Sequence, residues 1–450
     1  MHPQSKADLH VIVIGAGMGG LSAAISVRLS GHRVTLFEAA EELLEVGAGI
    51  QLTPNCTRIL QKWNISPKLW AAGAKPSELL VHRYSGQVLA REEQFDSKMR
   101  QRYGSPYFCM HRVDFQRALY ERAKELGVTF RLGQRVAHID FDAATIFTEA
   151  GVTQKGDLIV AADGLWSNAR NMFSGPHDVP KPTGDLAYRV VLRLDQIEDS
   201  ELREWVSNPK VRLWIGPDAH AVGYSLRGGS MYNIVLLVPD NLPPDVSRQE
   251  GSVEEMRSLF QGWDPVLTRF LALVDNVTKW KLMHREQLPS WVNKKSNLVF
   301  LGDACHPMLP YLGQGANSAV EDGAVLGLLL GHISSKEDLP QALRRYEKLR
   351  KPRGDAIHDA TFDQRDDFHL PDGPEQEARD AIFLSQLGKD QLKAPFPSRW
   401  TCPQVQPWLY GYDAYAEVEK EMMANPFESS RDDYRQLEKA LMAMTLESRL

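Results

Sequence analysis

Three glycines and one carboxylate near the N-terminus carry the first chemical signal of this sequence. Gly15, Gly17 and Gly20 satisfy the spacing G-x-G-x-x-G, and Glu38 follows the first glycine by 38 − 15 = 23 residues. In such a loop one glycine makes a tight turn, one lets the backbone approach a pyrophosphate, and one lets the next helix pack closely. A carboxylate at that distance can accept both hydroxyls of an adenosine ribose. The set predicts a dinucleotide site.

Two further carboxylates, Asp163 and Asp303, each come directly after a short apolar run. Apolar runs of this length are typical of buried parallel strands, and ligands of open α/β sheets bind at the carboxyl ends of such strands. Both residues are therefore candidates for ligand contact. Asp163 precedes Gly164, and this pair also fits an ordinary turn.

Glycine-rich segments follow the first and last of these strand–acid units. The segment 45–55 contains Ala48 and Gly49 and is broken by a proline, which indicates backbone lying against a flat partner. Beyond Asp303, a loop bracketed by prolines leads into a long apolar helix, predicted from about Ser318 to His332. The positive end of that helix would suit an anionic or electron-rich ligand edge.

The elements that must position these residues alternate between strand and helix. Residues 11–14, 34–37, 128–132 and 298–301 are predicted as parallel strands, with helices after the first glycines and from His111 onward. Between about 182 and 291 the helical pattern gives way to strands at 188–192, 211–215, 220–227 and 232–238, with helices near 253–261 and 265–274. The pattern predicts a mainly antiparallel domain inserted into an α/β domain.

Composition narrows the class of protein. The chain has 450 residues, of which 43% are hydrophobic and 24% charged, and its net charge is −6. These values are typical of a globular protein large enough for two or three domains, and they give no reason to expect nucleic acid. The four cysteines form no C-x-x-C pair, which argues against zinc and against a disulfide framework. No apolar run is long enough to span a bilayer, so we expect no transmembrane segment. We also expect no metal site.

The three glycine and acid units, in this order and spacing, resemble the single-component FAD-dependent aromatic hydroxylases of the p-hydroxybenzoate hydroxylase fold, and the salicylate hydroxylases within them. The resemblance covers about residues 11–360, and more loosely 407–413. It implies that FAD is held by the residues matching the family's cofactor contacts: Gly15, Gly17, Gly20, Glu38, Ala48, Gly49, Arg112, Asp163, Asp303, Gly315 and Ala316. One departure is Cys305, where alanine is common, and we interpret it as a small buried side chain.

The resemblance also implies the architecture. We expect a Rossmann-like FAD-binding domain from residues 1–75, 111–181 and 292–360, discontinuous in sequence. Residues 76–110 and 182–291 would form the inserted, mainly antiparallel substrate domain. Residues 361–450 would form a helical C-terminal extension, to which the sequence assigns no chemistry. The charged stretch Arg344–Arg353, on a helix predicted from Leu339 to about Ala360, is interpreted as a solvated helix face.

The activity implied is a monooxygenase reaction. In the family NAD(P)H visits transiently and reduces FAD, and the reduced flavin captures O2 as a hydroperoxide that hydroxylates a phenolic or aromatic-acid ring. Two alternatives share the fold: an oxygen-independent FAD reductase or dehydrogenase, and a non-catalytic escort protein. The partners expected are a small aromatic substrate and O2, and the resemblance leaves a homodimer open.

Substrate contacts should come from strands of the inserted domain. Arg189 can bind a phenolate or carboxylate and lower the pKa of a phenol. Strand alternation places His220, Val222 and Tyr224 on one face, where Tyr224 would fix the approach of the ring. In related hydroxylases an arginine and a tyrosine at similar positions hold an acidic phenol, so both are assigned as catalytic, and Pro307 matches a proline beside the reactive flavin carbon. A surface ion pair for Arg189 and sheet packing for Tyr224 remain alternatives.

The last three residues, Ser448-Arg449-Leu450, are a conservative variant of the S-K-L peroxisomal address. They also fit a solvated helix end. The sequence therefore predicts a cytoplasmic or a peroxisomal protein.

Overall fold

The computed structural model describes residues 2–43 and 48–427. The strands are β1 (His10–Ile14), β2 (Arg33–Phe37), β3 (Gly49–Leu52), β4 (Glu78–Arg83), β5 (Val88–Glu93), β6 (Phe108–His111), β7 (Thr129–Arg131), β8 (Val136–Asp140), β9 (Thr145–Thr148), β10 (Thr153–Lys155), β11 (Leu158–Ala161), β12 (Lys181–Arg193), β13 (Val211–Gly216), β14 (Ala219–Leu226), β15 (Met231–Pro239), β16 (Arg248–Gly251), β17 (Val277–His284) and β18 (Leu298–Phe300).

The helices follow the same chain order. They are α1 (Met18–Leu29), α2 (Pro54–Lys62), α3 (Pro67–Ala72), α4 (Phe95–Tyr103), α5 (Arg112–Glu125), α6 (Asn168–Ser174), α7 (Ser200–Ser207), α8 (Val253–Leu259), α9 (Pro265–Ala272), α10 (Gly315–Gly331), α11 (Leu339–Phe368), α12 (Pro374–Gln386), α13 (Val405–Tyr410) and α14 (Ala414–Ala424).

A parallel sheet carries the glycine and acid units. In the described part of the chain it has five strands, in the order β18-β11-β1-β2-β7. Its central strand β1 is fully buried at Val11, Ile12 and Val13, because α1 packs against the sheet and apolar side chains of β8 and β9 belong to the same core. The carboxyl ends of β1, β11 and β18 therefore lie at one edge of the sheet.

Helices α1 and α10 begin beyond that edge and pack backbone to backbone. A Cβ added at Gly323 would lie 2.6 Å from the backbone nitrogen of Ala23, and one added at Gly327 would lie 2.2 Å from Ser26 Oγ. Only glycine permits this approach. The contact fixes the N-terminus of α1, which follows the first glycine loop, relative to the N-terminus of α10.

A second, larger sheet lies against this assembly. Among the described residues it has eight strands, in the order β16-β17-β12-β15-β14-β13-β4-β5, and only β13 and β4 pair in parallel. Residues predicted for the inserted domain therefore form a mainly antiparallel sheet, as expected. The boundaries assigned to the domains remain a prediction.

The structure adds elements that the sequence patterns did not reveal. Helix α4 buries only Phe95 and Met99, and α7 only Leu202 and Val206, so neither shows a long apolar stripe. Strands β8, β9 and β10 form a small antiparallel sheet whose short strands are half exposed. Helix α10 begins at Gly315, three residues before the predicted start, and α11 continues to Phe368.

The C-terminal region, described as far as residue 427, contains three helices, which confirms that part of the predicted fold. Helices α12, α13 and α14 belong to it. Within the described ranges, no helix is both long and apolar enough to cross a membrane. The segment predicted at 45–55 is described from Ala48 onward, and Ser448-Arg449-Leu450 lies outside the described residues.

Candidate functional site

The three glycines of the first loop serve different purposes. Gly15 has φ +99°, and a Cβ there would lie 2.5 Å from the carbonyl oxygen of Ala162. A Cβ at Gly20 would lie 1.9 Å from the carbonyl oxygen of Gly15, whereas one at Gly17 would meet nothing within 4 Å. The turn and the helix packing thus require Gly15 and Gly20, while Gly17 leaves open space beside the N-terminus of α1.

Glu38 is held at the edge of that open space by backbone groups. Its Oε2 accepts a hydrogen bond from the Ala16 N–H at 2.7 Å, and its Oε1 accepts one from Ala40 at 2.9 Å. Gly15, Gly17, Glu38 and Asp163 all line one cavity of about 440 Å³. A carboxylate fixed beside a glycine turn and a helix N-terminus fits the ADP half of a dinucleotide.

Asp163 lies where β11 ends and caps the next helix. Its Oδ1 accepts from Ser167 Oγ at 2.5 Å and its Oδ2 from the Ala169 N–H at 3.0 Å. Burial raises the pKa of Asp163, and these donors oppose the rise. The carboxylate therefore organises the start of α6 as well as lining the cavity.

Arg170 joins the second acidic unit to the third. Its side chain is 1% exposed and forms an ion pair with Asp178, 2.6 Å between Nε and Oδ2. Nη1 donates to the carbonyl oxygens of Ala304 and Cys305. Cys305 is buried, as expected of a small core side chain, and burial raises its pKa.

A second cavity, of about 340 Å³, continues from the first past Gly17, Ala162 and Gly164. It separates the loop before α10 from the face of the eight-stranded sheet. The predicted site residues that line it are Gly17, Ala48, Gly49, Arg112, Arg189, His220, Tyr224, Asp303, Gly315 and Ala316. Gly20 and Pro307 line neither cavity. Gly20 packs under the first loop, and Pro307 is buried one residue before Met308, which does line the second cavity.

One wall of this second cavity suits the flavin ring system. Since α10 begins at Gly315, the N–H groups of its first turn have no partner within the helix and carry its positive end. Asp303 lies beside them, and desolvation raises the pKa of its carboxyl while His306 and Arg112 oppose that rise. Gln51 Nε2 is buried and has no hydrogen-bond partner among the described residues, so an amide donor is available for a ring carbonyl or nitrogen.

Asn317 links the segments of this wall by hydrogen bonds. Its Oδ1 accepts from the Thr53 N–H at 3.0 Å, and its Nδ2 donates to Gln51 O at 2.9 Å and to Gly313 O at 2.6 Å. The strand β3, the loop and the first turn of α10 are thereby fixed as one surface. These residues fit FAD: an open glycine turn, a ribose carboxylate, a helix N-terminus and an orphaned amide all face connected cavities.

The opposite wall holds the predicted substrate residues. Arg189 on β12 pairs in register with Val235, and His220, Val222 and Tyr224 alternate along β14. All of these line the cavity. The three β14 residues thus share the face that the sequence pattern predicts, and Arg189 lies on the same cavity wall.

Arg189 and Tyr224 are both constrained by aromatic or backbone neighbours. The Arg189 guanidinium lies 5.0 Å from the centroid of the Trp280 ring. Tyr224 packs so closely on Gly49 that a Cβ at Gly49 would be 2.7 Å from the tyrosine oxygen. Burial raises the pKa of Tyr224 well above its ordinary value, and the charge of Arg189 opposes the rise, so the phenol is a neutral donor.

His220 and Tyr311 bring buried polar partners to the cavity. Their rings lie 4.9 Å apart. His220 Nδ1 is 2.7 Å from His369 Nε2, and the Tyr311 hydroxyl donates to Asp185 Oδ2 at 2.5 Å. Burial lowers the pKa of His220 well below its ordinary value, and the neighbouring His369 adds to this. His220 is therefore uncharged near neutral pH.

Trp400 closes the cavity from the C-terminal region. Its Nε1 donates to Tyr311 O at 2.8 Å, and its ring lies against Gly313, at 3.2 Å from the position of a Cβ there. The sequence assigned no chemistry to the region beyond residue 361. The structure shows that it completes the wall.

A buried ionic cluster lies behind the cofactor wall, and it corrects the interpretation of the charged helix. Arg350 on α11 is 0% exposed and lies 2.7 Å from both Glu321 and Asp322 of α10. Arg353, predicted with it to lie on a solvated face, is 6% exposed and forms an ion pair with Glu321. These charges are buried because α11 packs on α10 and each finds a partner there.

Asp322 also reaches the loop that carries Asp303. Its Oδ2 accepts from the Gly302 N–H at 3.0 Å and lies 2.5 Å from His306 Nε2. Burial disfavours the ionised form, but His306 and Arg350 hold the pKa of Asp322 at about 2. Burial alone would lower the pKa of His306, yet Asp322 raises it above its ordinary value. The cluster thus fixes the loop electrostatically.

Sequence reasoning missed several residues of the site. They are Gln51, Asp185, Tyr311, Glu321, Asp322, Arg350, His369 and Trp400. The available signal was the pair of acids, Glu321 and Asp322, inside an otherwise apolar helix, which predicts buried partners. The remaining contacts join distant segments and leave no local pattern.

Several known proteins are similar to this chain in sequence, and solved structures are similar to it in fold. A family model described as an FAD binding domain matches residues 8–361. The FAD-dependent monooxygenase OpS4 of Beauveria bassiana (strain ARSEF 2860) is 51% identical over 419 residues, which cover 92% of this chain and 97% of that protein. A 3-hydroxybenzoate 6-hydroxylase of Polaromonas naphthalenivorans (strain CJ2) is 33% identical over 412 residues, covering 91% and 97%.

The architecture matches as well. The solved structure of a salicylate hydroxylase substrate complex aligns with a TM-score of 0.73 at 24% identity, covering 92% of this chain and 98% of that one. At that identity the match shows the fold.

Proposed function

The chain belongs to the FAD binding domain family and is an FAD-dependent monooxygenase of the aromatic hydroxylase type; on that premise we propose that it uses NAD(P)H and O2 to hydroxylate a phenolic aromatic acid. One observation carries the proposal. Arg189, His220 and Tyr224 line the same cavity as Asp303 and the start of α10, so a ring bound by the first three would face the cofactor wall.

The cofactor supplies the redox chemistry, which is transfer of electrons from NAD(P)H and activation of O2 for oxygen insertion. Gly17, Glu38, Arg112 and Asp303, with the N-terminus of α10, would hold it. The protein's own contribution is to position the ring, set its charge and exclude water.

Arg189 would bind the anionic group of the substrate. Its guanidinium is always cationic and presents a planar fork to a carboxylate or phenolate. A positive charge beside a phenol stabilises the phenolate and lowers the phenol's pKa. The phenolate ring is the better nucleophile, so the same contact binds and activates. The guanidinium also packs against the Trp280 ring, whose centroid lies 5.0 Å away.

Tyr224 and His220 would orient the ring. Both are neutral at pH 7 for the physical reasons given above. Tyr224 can donate to a ring substituent, and its contact with Gly49 fixes its distance from the cofactor wall. A fixed approach lowers the entropic part of the barrier.

Apolar side chains complete the chamber. They are Ala187, Val222, Val235, Leu237, Leu282, Met308 and Leu309. Such a lining excludes water, and excluding water prevents the side reaction that releases hydrogen peroxide.

A screen of NAD(P)H oxidation and O2 uptake by the purified yellow protein tests the proposal. Salicylate and 3-hydroxybenzoate are offered with NADH or NADPH, and benzoate, which lacks the phenol, is the control. We expect a phenolic acid to raise both rates together. If phenolic acids leave O2 uptake unchanged while NAD(P)H still reduces the flavin, the proposed hydroxylation of a phenolic aromatic acid is wrong.

A further inference from the structure

We propose that His369, supplied by the C-terminal region, carries the phenolic proton of the substrate from His220 to solvent. The inference rests on the proposed function, because it requires a phenol in the cavity. It adds to that function a residue outside the segment 8–361 that the family model matches.

The two histidines connect the cavity to a more exposed position. His220 is 1% exposed and lines the cavity. Its Nδ1 lies 2.7 Å from His369 Nε2, a hydrogen-bond distance, and the ring centroids are 5.0 Å apart. His369 is only partly buried. The pair therefore spans the wall of the chamber.

His369 is held in this position by its backbone. It directly follows α11, and its N–H donates to Arg365 O at 2.9 Å. Its carbonyl accepts from the N–H of Asp218 in the turn between β13 and β14, at 3.1 Å. The end of the helix is thus tied to the strand that carries His220, which fixes the distance between the rings.

The proton balance follows from the tautomers. When His220 carries its proton on Nδ1 and donates to His369 Nε2, its own Nε2 can accept the phenolic proton. The O–H bond of the substrate breaks and an N–H bond forms at His220 Nε2. The Nδ1 proton passes to His369 Nε2, and His369 releases its Nδ1 proton to water. The substrate becomes a phenolate, one proton reaches solvent, and no electrons are exchanged.

The groups around the pair favour transfer over storage of the proton. Tyr311, Phe368 and His369 face the His220 ring. Arg365 and Asp366 act on His369, and burial, followed by Arg365, lowers its pKa to about 4. Both histidines therefore favour the neutral form with a single N–H proton at neutral pH, so neither holds the extra proton as a stable imidazolium.

A second route by which the phenolic proton could leave the cavity runs through Tyr311 and Asp185. Tyr311 also lines the cavity, and its hydroxyl donates to Asp185. Burial raises the pKa of Asp185, while Tyr311 and Arg365 oppose the rise. Comparing variants of the two routes therefore decides between them.

The test measures proton release without turnover. Oxidised holoenzyme is mixed with 3-hydroxybenzoate or salicylate in weakly buffered phenol red, in a stopped-flow instrument, with wild type, His369→Asn, Asp185→Asn and His358→Asn. Asparagine at position 369 can still accept from His220 Nδ1 but cannot relay a proton. His358 lies on α11, the helix that precedes His369, and its Nδ1 contacts Asp359, so it is the matched control for folding and FAD content.

We expect His369→Asn to slow proton release by at least about tenfold, with recovery on adding imidazole, since proton transfer through a positioned base is worth this much or more. His358→Asn should match wild type. Wild-type rates in His369→Asn, or slowing in Asp185→Asn alone, overturn the proposal. If no proton is released by wild type with either acid, and neither acid stimulates O2 uptake, the proposed function fails and the inference with it.

Discussion

At the scale of single residues, Trp280 allows a matched comparison of two arginines. Arg189 and Arg248 both lie over its ring, at 5.0 and 4.3 Å from the centroid. Arg189 lines the cavity and Arg248 does not. Any effect of losing a cation beside Trp280 is common to both, so the difference between their variants isolates the role of Arg189 in substrate binding.

We expect Arg189→Gln to lower kcat/KM for the phenolic substrate by about 100-fold, because losing a charge-assisted bidentate contact costs up to about 3 kcal/mol. Arg248→Gln should stay within about twofold. Steady-state O2 uptake measures both, and flavin absorbance checks that FAD remains bound. Near-normal turnover in Arg189→Gln would contradict its assignment.

Gly17 separates cofactor binding from folding. A side chain there meets no protein atom, unlike one at Gly15 or Gly20. Gly17→Leu should therefore give a folded but colourless protein, because the side chain would occupy the space of the pyrophosphate, and Gly17→Ala should weaken FAD less. Fluorescence titration of the apoproteins with FAD and thermal melting measure the two effects. A yellow Gly17→Leu protein would show that the pyrophosphate lies elsewhere.

At the scale of elements, the contact between α10 and α11 depends on buried charges. Arg350→Met would remove a buried partner from both Glu321 and Asp322 and leave them only Arg353 and His306, so the free energy of unfolding should fall by about 3–5 kcal/mol. Lys348→Met, on the same helix but in an exposed pair with Glu421, should change it by less than about 1 kcal/mol. Urea denaturation compares them. Equal effects of the two substitutions would rule out a special role for the cluster.

The cluster also predicts how stability depends on pH. The folded-state pKa of His306 is raised, so its contribution is complete below the ordinary histidine pKa of about 6.5 and is lost as pH rises through the folded value. Asp322, with a pKa of about 2, contributes above the ordinary aspartate pKa and loses that contribution as pH falls towards 2.

His306→Gln should therefore destabilise the protein more at about pH 6 than at about pH 9. Urea denaturation of both proteins at the two pH values measures the difference in the free energy of unfolding. A difference that is constant or grows with pH would show that His306 is not protonated beside Asp322.

The sequence predicts an element correctly when the pattern lies within a short segment, and less well when contacts between distant segments decide it. The strand–helix–strand unit around the glycine loop and the strand that carries His220 and Tyr224 lie where the sequence predicts them, because each depends on spacing within one or two elements. The face of α11 was misread, because only the fold shows that Arg350 and Arg353 meet Glu321 and Asp322. Helix α10 was predicted to start late, since glycines at positions 313 and 315 resemble loop.

At the scale of the whole molecule, the C-terminal region acts as a wall of the chamber. No sequence pattern predicts this role of the C-terminal region, because tertiary packing alone brings Trp400 and His369 to the cavity. The family and its cofactor, by contrast, could be inferred from three short units, and the comparisons confirm both.

Trp400 tests this wall. Trp400→Phe removes the donor to Tyr311 O and part of the ring against Gly313, so water should enter and a larger share of NAD(P)H oxidation should yield hydrogen peroxide. Trp408→Phe is the control, since Trp408 is exposed and stacks on Arg353. A peroxide assay gives the ratio for each. An unchanged ratio in Trp400→Phe would show that the wall does not exclude water.

Insertion of one oxygen atom of O2 into a phenolic ring is the reaction proposed for this protein, and isotope labelling tests it most directly. The holoenzyme is incubated with NAD(P)H and the stimulating phenolic acid under ¹⁸O2, and the product is examined by mass spectrometry. We expect a hydroxylated product that carries a single ¹⁸O atom. A product without ¹⁸O, or substrate recovered unchanged while NAD(P)H is consumed, would contradict it.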